Sequence, residues 1–241
     1  MEIKEAIKNL IPARYFYKLL HLRKRFSVGG FKTLSYSGDG EDQLILKYFK
    51  GKSNGVYIDI GAFHPKYISN TFLLYKKGWR GINIDASSNA IELFKKYRSE
   101  DINLNVGVSD TEEVMTYYNF SHSGVNTFDA KHAQKKSDQV GNKLLGTKEI
   151  QCLPLKKILE ENFNKLPSQE IDVLDIDVEG LDLQVLTSND WEKYQPKMIL
   201  VEDRDFRETP CTSDIYKYLV SKGYTFYAFN NITLVVVKKI T

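Results

Sequence analysis

V-Y-I-D-I-G-A-F-H-P at Val56–Pro65, S-N-T-F-L-L-Y-K-K at Ser69–Lys77 and G-W-R-G-I-N-I-D at Gly78–Asp85 together decide the fold. The first run is an unbroken apolar strand that ends in Asp59 and turns at Gly61. A helical segment follows, and a second apolar strand ends in Asp85. Apolar strands separated by helices form parallel sheets with both faces covered. In an open α/β sheet, ligands bind just beyond the carboxyl ends of the strands. A carboxylate at Asp85 can accept both hydroxyls of a ribose. Asp59 suits an ammonium group, and the Gly61–Ala62 turn lets a ligand's amino-acid end approach the backbone. The dinucleotide fingerprint G-x-G-x-x-G is absent, because Phe63, His64 and Pro65 follow Gly61 and Ala62. No pyrophosphate cradle is expected. A ribose-bearing cofactor without a diphosphate leaves S-adenosylmethionine as the expected ligand.

Outward from this unit the pattern alternates helix and strand, which implies crossover connections. The periodicity predicts helices over 42–50, 68–77, 90–97, 155–162, 181–186 and 213–222. It predicts strands over 56–60, 81–85, 102–108, 171–176 and 198–201, with two more at 114–118 and 149–153 flanking a polar insert. The chain closes on Y-T-F-Y-A-F-N-N-I-T-L-V-V-V-K-K, two strands joined at Asn230-Asn231, a hairpin signal. The fold class expected is α/β, a Rossmann-like, mostly parallel seven-stranded sheet with a C-terminal antiparallel hairpin. Residues 1–34 read as a helical extension whose basic, aromatic half (A-R-Y-F-Y-K-L-L-H-L-R-K-R-F) suits either packing on the domain or peripheral contact with an anionic membrane. Residues 35–241 read as the main domain, with 119–147 as an insert long enough to act as a lid.

Six ordered blocks carry a family resemblance. They are Y-S-G-D-G-E-D at Tyr36–Asp42, Y-I-D-I-G-A-F-H-P at Tyr57–Pro65, S-N-T-F-L-L at Ser69–Leu74, G-W-R-G-I-N-I-D at Gly78–Asp85, N-V-G-V-S-D at Asn105–Asp110 and L-D-I-D-V-E-G-L-D at Leu174–Asp182. The set resembles the FkbM family of S-adenosylmethionine-dependent methyltransferases over roughly residues 35 to 203. The resemblance implies the class I methyltransferase fold and methylation of a hydroxyl on a sugar, glycan or natural-product precursor. Asn126, Thr127 and Phe128 in the insert resemble a further family block, which makes Asn126 a substrate-binding candidate.

The remaining site residues follow from the strand ends. Ser87 and Ser88 follow Asp85 where an adenine edge should lie. Gly107 and Val108, or the side chain of Asp110, would read its amino group at the end of strand three. On strand four, Asp175 and Asp177 share one side by the period of two. Asp177 is nearer the carboxyl end and is the first choice of base. His64, at the mouth with an ordinary pKa near 6.5, is the second. Asn70 and Thr71 either contact a polar acceptor or cap the next helix. Glu202 and Asp203 end strand five. Adjacent strands lie about 4.8 Å apart, so they and Asp177 can converge as a substrate site or as a Mg²⁺ site, with local pairing to Arg204 as the alternative.

Bulk properties narrow the classes. A chain of 241 residues with 42% hydrophobic content suffices for one α/β domain. A formal net charge of +3 gives no reason for an obligate nucleic-acid partner. Cys152 and Cys211 fit no metal or redox spacing. No apolar run approaches the roughly 18 residues of a membrane span, and the N-terminus lacks a signal peptide's apolar core. A cytoplasmic enzyme is the expectation. The rivals are a nucleic-acid methyltransferase, weakened because V-E-G-L stands where an N-P-P-Y-type motif would be, and an inactive binding module of the same fold. A nicotinamide oxidoreductase lacks its glycines.

Overall fold

The computed structural model describes residues 33–139, 141–210 and 212–239. The extension expected over 1–34, its membrane contact and Cys211 therefore fall outside the described residues, apart from Thr33 and Leu34. The chain divides into two units, Met1–Ser35 and Tyr36–Thr241, and every element below belongs to the second.

In chain order the elements are α1 (Glu41–Tyr48), β1 (Val56–Ile60), α2 (Phe72–Lys76), β2 (Arg80–Ile84), α3 (Ser88–Tyr97), β3 (Ile102–Leu104), β4 (Gly107–Val108) and β5 (Glu113–Phe120). They continue as α4 (Ala130–Ser137), β6 (Leu144–Leu153), α5 (Leu155–Asn162), β7 (Val173–Ile176), α6 (Asp182–Thr187), β8 (Met198–Glu202), α7 (Arg204–Glu208), α8 (Asp214–Ser221), β9 (Tyr224–Asn230) and β10 (Thr233–Lys238). The main sheet has seven strands in the order β3-β2-β1-β7-β8-β10-β9. Its pairs are parallel from β3 to β8, and only β10 runs antiparallel to its neighbours. This is the Rossmann-like, mostly parallel seven-stranded sheet with a C-terminal antiparallel hairpin expected from the sequence, and the strand order reverses between β1 and β7, where a ligand crevice opens.

Both faces of the sheet are covered, which is why β1 reads as an unbroken apolar run. Val56, Ile58 and Ile60 face a core that takes Leu155, Ile158 and Leu159 from α5, Val185 and Leu186 from α6, and Leu219 from α8. Tyr57 faces a smaller core with Ile45 of α1, Leu74 of α2, Trp79 and Met198. Asp59 has the parity of Tyr57, so it lies on this second face at the carboxyl end of β1.

Three local readings change. The strand expected over 102–108 is split: β3 ends at Leu104, and β4 joins a second sheet of order β4-β6-β5. The side chain of Asn105 forces the departure by donating to the carbonyls of Asp85 and Ala86 at 2.9 Å each. The strands flanking the insert are longer than expected and pair antiparallel, so the connection between them shrinks to residues 121–143 and contains α4. The helix expected from Ile68 begins only at Phe72, because Ile68 sits at φ +51° and the Ser69 hydroxyl accepts from the Phe72 amide at 3.2 Å. Among the described residues, no helix is long and apolar enough to cross a membrane.

Candidate active site

A cavity opens at the carboxyl ends of β1, β2 and β7. Asp59, Gly61 and Ala62 line it from β1, Asp85 from β2, Gly107 and Val108 from β4, Asp175 and Asp177 from β7, and Asn126, Thr127 and Phe128 from the insert. Gly61 fixes its shape. The residue adopts φ +78°, and a Cβ placed there would lie 1.8 Å from the Asp177 carbonyl oxygen. The turn after β1 thus packs backbone to backbone against the segment after β7, a contact that only glycine permits. Gly61→Ala should destabilise the fold by roughly 2–5 kcal/mol, from left-handed strain plus forced backbone displacement. Urea unfolding measures this, and a change under 1 kcal/mol would show that the loops part easily. Phe63, Ile68 and Glu179 also carry positive φ and also line the cavity, and such strain tends to gather at functional sites.

Asp85 bridges two loops. Its Oδ1 accepts from the Ser87 amide at 2.7 Å and its Oδ2 from the Phe63 amide at 2.9 Å. Burial raises its pKa to about 6 against the pull of these two bonds. Each carboxylate oxygen keeps a lone pair, and the bonds fix its plane at the cavity wall. Asp59 is 5% exposed, and its Oδ2 accepts from the Thr71 hydroxyl at 2.5 Å. Burial raises its pKa, while Arg98 and the Thr71 hydroxyl act the other way. Opposite it in register is Asp175, pushed well above the carboxylate range by burial and then by the charge of Asp59.

The mouth is acidic. Asp177, Glu179 and Glu202 bring carboxylate oxygens within 4.8 Å of one another. Asp177 is raised well above its ordinary range by burial and by Glu202, Asp182, Glu179 and Asp175. Its side chain is nevertheless open to solvent, so the like charges around it outweigh burial as the cause. The protein supplies cations of its own. Arg204 Nε donates to Glu202, and its guanidinium lies 3.6 Å from Glu179. Lys136 Nζ and His132 Nε2, both from α4, approach Glu179 at 3.4 and 3.0 Å. Asp203 is turned away as the N-cap of α7, accepting from the Phe206 amide at 2.9 Å and from the Ser213 hydroxyl. The expected Mg²⁺ set of Asp177, Glu202 and Asp203 therefore does not form: one member is spent on a cap, another is paired with Arg204, and Glu179 with its own cations stands in the gap.

Three further expectations change with the geometry. His64 is not placed to act as a base. Its Nδ1 accepts from the amides of Lys66 and Tyr67 at 3.1 Å each, and burial and Lys66 lower its pKa; it organises the loop. Ser87 is the N-cap of α3, its hydroxyl accepting from the Ala90 amide at 3.4 Å, and it is not part of the cavity lining. Asp110 is exposed, and its Oδ1 accepts from Gln184 at 2.6 Å, away from the cavity. Glu202 stands at the acidic mouth rather than in the lining. Asn70 donates to Asp175 Oδ1 at 3.2 Å, and Asn126 uses its Oδ1 for the Phe120 amide at 2.7 Å. Thr71 precedes α2 without capping it. Tyr117, Glu179 and Arg98 are the site residues that sequence reasoning passed over. Only Glu179 had a visible signal, as the third acid of D-I-D-V-E-G.

The methyltransferase FkbM domain matches residues 59–226 of the chain. No curated protein matches the chain. Among solved structures, the methyltransferase FkbM from Methylobacillus flagellatus KT is 11% identical at a TM-score of 0.42, covering 77% of this chain and 44% of its own; this chain thus spans less than half the length of that one. An O-methyltransferase from Bacillus cereus in complex with SAH is 11% identical at a TM-score of 0.39, covering 98% and 97% of the two chains. With the domain match extending over 168 residues (226 − 59 + 1) of 241, the chain belongs to the FkbM methyltransferase family.

Proposed function

We propose that the protein transfers a methyl group from S-adenosylmethionine to a hydroxyl of a sugar or of a glycan or natural-product precursor. One observation carries the reading: Asp59 and Asp85, at the ends of adjacent parallel strands, open into one cavity with Asp177 at its mouth. Asp85 would accept from the ribose hydroxyls, oriented by the Phe63 and Ser87 amides. Asp59 would face the ammonium group. Val106, Val108, Tyr117 and Phe128 supply an apolar wall for the adenine. S-adenosylmethionine, when bound, supplies an activated methyl on a sulfonium.

The acceptor's alcohol has a pKa near that of water, roughly 16, so a carboxylate cannot ionise it in advance. It can take the proton only as the methyl transfers, a contribution of about 10²–10⁴-fold. Asp177 suits that task, since crowded acids hold its pKa above the ordinary range and bring it nearer the working pH. The acceptor oxygen bonds to the methyl carbon, the carbon–sulfur bond breaks, and the proton passes to Asp177. In-line placement at about 3 Å supplies much of the remaining acceleration. The modest net charge of +3 gives a nucleic-acid acceptor little electrostatic support.

The test is transfer of labelled methyl from S-adenosylmethionine to a panel of nucleotide sugars, glycans and hydroxylated natural products, with RNA as a control. Label on a sugar supports the reading, and label on RNA alone would replace it. Failure to bind S-adenosylhomocysteine would leave a binding module. Asp85→Ala should weaken S-adenosylhomocysteine binding by about 10²-fold or more, the order of two hydrogen bonds to a charged group. In the wild type, affinity should fall as the pH drops through about 6, because a protonated Asp85 loses an acceptor. Calorimetry at pH 5 and 8 reads both effects, and pH-independent binding would remove Asp85 from the ribose.

A further inference from the structure

Beneath Asp59, on the same face of the sheet, lies a buried hydrogen-bond network centred on Arg98, which is 0% exposed. Its Nε donates to Asp101 Oδ2 at 2.9 Å, one terminal nitrogen to the Tyr57 hydroxyl at 2.7 Å, and the other to Thr71 Oγ1 at 2.9 Å. Resting on the donor assignment above, we infer that Arg98, acting through the hydroxyl of Thr71, is a positioning residue that holds Asp59 as the anion receiving the donor's ammonium group.

Proton direction carries the argument. A guanidinium only donates, so Thr71 Oγ1 must accept from it. The single hydroxyl proton of Thr71 then goes to Asp59 Oδ2 rather than to the more distant Ser69 hydroxyl at 3.5 Å, so Oδ2 accepts and the bond favours the ionised carboxylate. Tyr57 repeats the arrangement, accepting from Arg98 and donating to Asp101 at 2.6 Å. Asp175, in register beside Asp59, receives among the described residues only the amide of Asn70, so of these two neighbours Asp59 is the better placed to carry the charge. The sum of Arg98, Asp59 and Asp101 is −1 (1 − 2). That network leaves one negative charge at Asp59 without a paired cation, which fits a ligand that brings one, and the ammonium of an amino-acid moiety is such a group.

The test compares two ligands that differ only at that end. S-adenosylhomocysteine carries the ammonium and carboxylate, whereas 5′-methylthioadenosine keeps the nucleoside and thioether alone. Calorimetric titration of the wild type, Thr71→Val and Thr71→Ser, each checked for folding by thermal melting, should show a roughly tenfold loss for S-adenosylhomocysteine in the valine variant. That is the order of one hydrogen bond to a charged group. Binding of 5′-methylthioadenosine should change less than twofold, and the serine variant should behave as the wild type. In the valine variant, S-adenosylhomocysteine binding should also fail at a higher pH than in the wild type, because Asp59 then takes up a proton more readily. Arg98→Lys, which keeps the charge but cannot reach all three acceptors, should show the same ligand-selective loss if the valine variant does not fold. Equal losses for both ligands, or none, would overturn the relay while leaving the donor assignment intact. A wild type that binds neither ligand would overturn both.

Discussion

Arg98→Met is expected to lower the stability of the protein by roughly 3–5 kcal/mol, the cost of stripping one partner from a buried charge network. The guanidinium is fully buried and donates to Asp101, Tyr57 and Thr71; it also lies 5.0 Å from the Phe94 ring centre. Methionine fills part of the volume and none of the hydrogen bonds. It leaves Asp101 with the Tyr57 hydroxyl, the Asn83 side chain and the Gly81 amide but no cation, and it leaves Asp59 without its opposing charge. At about 2–4 °C per kcal/mol for a chain of this size, the midpoint should fall by roughly 6–20 °C. The sign of the pH dependence separates charge from packing. Asp59 is already raised by burial and would rise further without Arg98, so the folded variant binds a proton more tightly than its unfolded chain. Its deficit should therefore shrink in mild acid and grow toward pH 8. A pH-independent loss would assign the effect to packing, and a loss under 1 kcal/mol would mean that water replaces the arginine.

Asp177→Asn is expected to keep S-adenosylhomocysteine binding within about threefold and to lose about 10²–10⁴ in kcat, the range of a removed general base. The substitution preserves shape and removes a charge from a mouth where Glu202, Asp182 and Glu179 already repel it. Stability should hold or rise slightly, which separates this loss from unfolding. Single-turnover methyl transfer is the measurement. Retention of the wild-type rate would take Asp177 out of the chemistry and leave orientation of the acceptor as the source of rate.

Some of this architecture is written in local pattern. The strands Val56–Ile60 and Met198–Glu202 are buried on every residue, so they read as unbroken apolar runs, and the Asn230-Asn231 turn marks the closing hairpin. Gly61 announced a turn, though not that a carbonyl 1.8 Å from its absent Cβ makes it irreplaceable. The adjacent acids Glu202 and Asp203 looked interchangeable. Successive residues at a strand end face opposite ways, so only one could turn to the mouth, and Ser213, ten positions on, claims the other. His64 looked like a base because a histidine at a site's mouth has the right pKa, yet two backbone amides already occupy its Nδ1.

The sequence by itself determined the βαβ order, the parallel sheet with its terminal hairpin, the family, and the acids at the strand ends. These depend on which residues must leave water, and that demand is periodic along the chain. Tertiary structure decided which acid is bonded to the Thr71 hydroxyl, which histidine is spent on a turn, and that Arg98 sits beneath Asp59 rather than in solvent at a helix end. The place of Arg98 depends on partners 27 and 41 positions away, Thr71 and Tyr57, brought together only when the strands take their register, whereas His64 is taken by amides two and three positions on in a turn whose path periodicity does not mark.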